Sequence, residues 1–171
     1  KRNPDGQVFM KGRETDESLK QNQRSTRNFI RKWGTMVRHN DLLKPIVAPK
    51  YDIGFVVGTC REDVLYELEP WCSNIYVDSN IANRYIESEQ KETDFDLKDR
   101  VRTLFDKGSN DITIEFSARE LNQERFNMLT QFSDILANDE ELEVGEFELD
   151  IFNVKVNKIK TYEEELIVCK N

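Results

Sequence analysis

The 171-residue chain is poor in the residues that build metal and nucleophilic centres. It has one histidine, His39, and three cysteines, Cys60, Cys72 and Cys169, with no C-x-x-C pair among them. An odd count without paired spacing argues against a disulfide framework and a zinc site. It points instead to three reduced thiols in a cytoplasmic protein. No stretch approaches the ~18–20 apolar residues that a membrane span needs. No signal peptide is visible, and the first residue is Lys1 rather than Met, so the chain reads as a piece of something longer or a processed product. The G-x-G-x-x-G cradle for a pyrophosphate is missing too. No repeat or low-complexity tract interrupts the chain.

What is present is a globular composition, 37% hydrophobic and 34% charged, in a chain long enough for one domain with a real core. The net charge of -8 is unevenly spread. Residues 1–50 hold 12 Lys and Arg against 5 Asp and Glu, and residues 51–171 hold 13 against 28. An acidic body repels nucleic acid and anionic membrane, so neither is expected as a partner. The cations of the leader are spread along one helix, which favours docking on the acidic body or on a neighbour.

The leader is irregular over residues 1–12, with a turn at Asn3-Pro4-Asp5-Gly6. A helix is expected from Asp16, as its cap, to Trp33, with Gly34 as the stop. Of its apolar residues, Leu19 stands alone in a polar first half, and Phe29, Ile30 and Trp33 gather at the far end. Residues 35–50 read as a linker. From Tyr51 the pattern becomes regular. Apolar or alternating runs at 53–57, 74–78 and 112–116 predict strands, and helical spacing at 61–69, 81–89 and 97–104 predicts helices. Ser117 and Glu120 form a capping-box pattern ahead of one long helix over 118–137, with Leu121, Phe126, Leu129, Phe132 and Leu136 as its buried stripe. The long β-segment after Asn138 slips phase at Ile151-Phe152, which a bulge would absorb. Residues 166–168 form a last strand. The expected fold is α/β and Rossmann-like: a partly parallel sheet, flanking helices, a C-terminal antiparallel hairpin and a basic N-terminal helix. The expected division is a leader and linker over 1–50 and an α/β domain over 51–171.

In such a sheet, ligands bind beyond the carboxyl ends of the strands. Thr59, Asp78 and Asn80 stand at those ends and are the candidate ligand-binding residues. Asp78 could accept hydrogen bonds from a ribose, or simply cap the next helix. Cys60 could be a nucleophile at a helix start, but its only base would be His39. Asp94-Phe-Asp96 has a D-x-D spacing in a helix-starting context, which favours capping. The acidic runs 139–141 and 163–165 read as solvated surface. Trp71 reads as a core anchor for the first helix after Tyr51. No metal site, cofactor or complete catalytic centre is expected.

Residues 22–34, with Asn28-Phe29 and Lys32-Trp33-Gly34, resemble the closing helix of family-2 glycosyltransferases of the GT-A fold. In that family the D-x-D, the catalytic base and a metal-associated histidine precede this helix, so the resemblance supplies no catalytic residue here. It implies that residues 1–50 are the tail of a catalytic domain and that 51–171 are an accessory domain appended to it. Phe29, Ile30 and Trp33 would then dock on the body or on a partner, and homo-oligomers are compatible with this reading. Two other functions fit the sequence: a structural or assembly protein of a virus or multi-subunit complex, and a small nucleotide-binding enzyme.

Overall fold

The computed structural model describes residues 15–46 and 51–159, with residues 107, 109, 138, 140 and 141 excepted. The expected turn at residues 3–6, the acidic run 163–165, the strand at 166–168 and Cys169 lie outside the described residues.

Helix α1 spans Asp16–Trp33. Thr15, rather than Asp16, caps it: the Thr15 hydroxyl accepts the Ser18 N–H at 3.3 Å. Asp16 stays in the first turn, where its charge suits the positive helix end. Gly34 stops the helix at φ 72, a left-handed conformation that glycine adopts without cost. The expected linker contains a small hairpin, β1 (Arg38–His39) against β2 (Pro45–Ile46). Asn40 organises its loop by accepting the Leu42 and Lys44 N–H groups. Arg38 fastens it to Asp134 through two hydrogen bonds of 2.7 and 2.9 Å.

The main sheet contains β3 (Ile53–Gly58), β4 (Asn74–Val77), β5 (Val101–Thr103), β6 (Ile112–Ser117), β7 (Gly145–Leu149) and β8 (Phe152–Val156). Their order is β5-β4-β3-β6-β8-β7. The first four are mutually parallel, and β8 runs antiparallel between β6 and β7. The α/β architecture and the C-terminal hairpin agree with the sequence pattern. The helices are α2 (Glu62–Leu68), α3 (Ser79–Glu89), α4 (Leu97–Arg100), α5 (Gln123–Thr130) and α6 (Phe132–Ala137). One face of the sheet carries Phe55, Ile75, Ile114, Phe152 and Val154, buried against Leu65, Leu68, Tyr85, Leu129 and Phe132. The opposite face carries Glu115, Glu146, Asn153 and Lys155, all exposed.

Four local readings are corrected. Residues 101–103 form the edge strand β5 instead of continuing a helix, because Val101, at 3% exposure, fills a place beside Ile75. Ser117 does not cap a helix; it ends β6, and Asn122 caps α5 by accepting the Arg125 N–H at 2.9 Å. The expected long helix breaks at Gln131, although Leu129, Phe132 and Leu136 are buried as the stripe required. The phase slip near Ile151 is a two-residue turn rather than a bulge. Asp150 takes φ 55 there, and its carboxylate receives Arg125 at 2.7 and 3.0 Å. A turn residue with positive φ reverses the chain between two correctly phased strands.

At the amino ends of the parallel strands, Asn110 donates to Asp52 and Asn74 and accepts the Tyr76 hydroxyl. A Cβ on Gly54 would collide with the Asn110 side-chain oxygen, so Gly54 is the slot that admits this clasp.

Candidate functional site

The chain passes from β3 to β4 and β5 on one side and returns to β6 on the other. The topological switch therefore lies between the carboxyl ends of β3 and β6. Thr59 follows β3 at φ 50, a costly region for a β-branched residue. Its hydroxyl shares a 3.0 Å hydrogen bond with that of Ser117. Asp78 sits at the N-cap of α3 without a side-chain capping bond, and its carbonyl accepts the Ile81 and Ala82 N–H groups. Asp78 and Asn80 are exposed. The fold thus places all three candidates at the carboxyl edge and joins Thr59 to Ser117.

The other chemistry-bearing residues take structural roles. Cys60 is buried, and its thiol is pushed up to about 12 by burial, then by Asp63 and Asp78. This is the reverse of the depressed value that a nucleophile at a helix start would need. Asp96 caps α4 by accepting the Lys98 N–H at 2.9 Å. Trp71 meets Phe126 of α5 edge-on at 6.4 Å. His39 is exposed in β1. Among the described residues, no group of three His, Cys, Asp or Glu side chains is placed to hold a metal ion.

The densest polar constellation lies between α1 and the α/β body. Arg24, Arg27, Asn28 and Arg31 recur at helical spacing and share one face of α1. Arg31 is completely buried. Its Nε donates to Glu69 at 2.9 Å, and its Nη1 donates to Asn28 at 2.7 Å. Its Nη2 donates to Tyr85 at 3.0 Å and Glu89 at 2.9 Å. Tyr85 donates its own hydroxyl proton to Glu69 at 3.0 Å. Arg100 donates to the other Glu69 oxygen and to the carbonyls of Glu69 and Cys72. Arg27 grips Glu89 with two bonds of 2.8 Å, and Arg24 pairs with Glu92.

Burial opposes charge on both principal members, and the partners outweigh it. Burial would raise Glu69, but Arg100 and Arg31 hold its carboxyl below the usual range. Burial would lower Arg31, but Glu69, Tyr85 and Glu89 hold its guanidinium above its ordinary value. Tyr85 is pushed up by burial and by Glu69 and stays neutral. No buried side-chain nitrogen or oxygen among the described residues lacks a partner.

No protein-family model, curated protein or solved structure matches this chain. Its function has to be read from its own geometry.

That geometry places the three expected docking residues differently. Ile30 is buried at the body, near Tyr66, Pro70 and Trp71. Trp33 remains 42% exposed and packs with Phe29, their ring centroids 6.4 Å apart. The arginine face, rather than the aromatic end as a whole, clamps α1 to the body. The signal was present in the spacing of Arg24, Arg27 and Arg31. Their partners Glu69, Glu89 and Glu92 lie 38 to 68 positions away, beyond the reach of any local pattern.

Proposed function

We propose that this chain is an accessory, non-catalytic α/β module of a glycosyltransferase-like protein, positioning a catalytic part or a partner against its body. One observation carries this reading: α1, the segment that resembles a glycosyltransferase closing helix, has two working faces. Its arginine face is bound to the body through buried charge. Its other face, with Phe29 and Trp33, is joined to the β1–β2 hairpin in an apolar groove. A helix held on one side and greasy on the other suits a bridging element. The structural roles of Cys60 and Asp96 agree with a module that leaves chemistry to another part of the protein.

The test is the coding sequence upstream of Lys1. A D-x-D-bearing α/β region is expected there, and a reading frame opening at or near Lys1 overturns the proposal. The isolated chain, supplied with nucleotide-sugars and manganese or magnesium, should transfer no sugar. Measurable transfer would refute the non-catalytic role.

A further inference from the structure

The apolar groove has room for an occupant whose chemistry the chain itself supplies. Phe29, Trp33, Met36, Val37, Pro45 and Ile46 line a cavity of about 300 Å³. That is roughly twice the ~150 Å³ void that takes up a benzene. Met36, Val37 and Ile46 are each about half exposed, at 47%, 53% and 45%. A contiguous apolar patch of this kind marks an interaction site more often than scattered single residues do. Cations border it: the Lys32 ammonium lies 5.0 Å from the Trp33 ring centroid, and Lys44 directly precedes Pro45. A fitting occupant therefore presents aliphatic side chains beside carboxylates.

Residues 163–168 have that chemistry. Glu163, Glu164 and Glu165 are followed at once by Leu166, Ile167 and Val168. The tail also leaves from the end of the sheet at which β3 begins: β8 ends beside Ile112, which pairs with Ile53. Two strand spacings, about 10 Å, separate β8 from β3. Ile46 precedes Ile53 by seven residues. Residue 166 lies seven residues beyond Ile159, a reach of about 23–25 Å when extended.

We propose that the groove is the docking seat of the chain's own segment 163–168, with Leu166, Ile167 and Val168 against Trp33 and Ile46 and the glutamates beside Lys32 and Lys44. The seat rests on the groove alone; a groove filled by the tail would take the apolar face of α1 out of the bridging role proposed above and leave that role to the arginine face. Cys60 and Cys72 are buried, which directs a nitroxide thiol label to Cys169. In the labelled 171-residue chain, the amide signals of Trp33, Val37 and Ile46 should lose intensity and recover on reduction of the nitroxide. Leu166→Asp with Val168→Asp should abolish that loss while leaving the β3 and β6 signals in place. A mixed sample of labelled, isotopically silent chain and unlabelled, isotopically visible chain should show no loss. Undiminished signals in the first sample overturn the proposal. Loss in the mixed sample overturns it too, by assigning the groove to the tail of a second copy.

Discussion

Replacing Arg31 with methionine should detach α1 from the body without unfolding the sheet. The side chain is wholly buried and contacts Glu69, Asn28, Tyr85 and Glu89. Removing one partner of a buried ion pair costs about 3–5 kcal/mol, because the other charge stays desolvated. Here Glu69 keeps Arg100 and Glu89 keeps Arg27, so the lower end, about 3 kcal/mol, is expected. At ~2–4 °C per kcal/mol for a chain of this size, Tm should fall by roughly 6–12 °C. Trp33→Ala, at a site 42% exposed, should cost only about 1 kcal/mol, the scale of one aromatic contact. Hydrogen exchange adds the location: in Arg31→Met, amides of Asp16–Trp33 should lose protection before those of β3 and β6. Arg31→Lys should restore little, since an ammonium cannot reproduce the guanidinium fork. A Trp33→Ala shift equal to or larger than that of Arg31→Met would refute the reasoning.

Three further outcomes follow from the same contacts. Glu69 has a folded-state pKa below its unfolded value, so its contribution is complete above the unfolded value of about 4.3 and is lost as pH falls through the lower folded value; melts from pH 7 to 3 should show an acid-side loss that Glu69→Gln reduces. Tyr85→Phe should cost about 1 kcal/mol by denaturant titration, since the phenol links Arg31 to Glu69 while both keep other partners. Asp150→Ala should lower the denaturation midpoint in the same assay, since it removes a two-bond contact to Arg125 and holds an alanine at positive φ.

The parts of the fold that rest on local pattern were legible. The apolar run of β3 and the alternation of β6 gave the centre of the sheet, and Gly34 gave the end of α1. β5 was lost because Val101 keeps helical spacing with Leu97 and Leu104, and only the neighbouring β4 makes it a strand. The helix expected over 118–137 failed at its start for a related reason. Ser117 and Asn122 both offer capping chemistry, and the Ser117 hydroxyl is engaged by Thr59 across the sheet. At the site, sequence position sufficed to put Thr59, Asp78 and Asn80 at the strand ends. It could not show that Arg31 is completely buried, because charge in a sequence reads as surface until its partners are located. Trp33, expected with Phe29 and Ile30 as a docking residue, lies half in solvent.

The outer strand β7 has a bearing on how the molecule behaves in a crowd. It ends the sheet with one side of its backbone unpaired among the described residues. Such an edge is a template for fibre growth. Glu146 and Glu148 point to the exposed face of that edge, and Lys155 of β8 pairs with Glu146. A second molecule adding edge to edge about Phe147 would set Glu146 against Glu148, and like charges placed opposite one another repel. The strand therefore carries its own deterrent to polymerisation, written in two carboxylates that contribute nothing to the core.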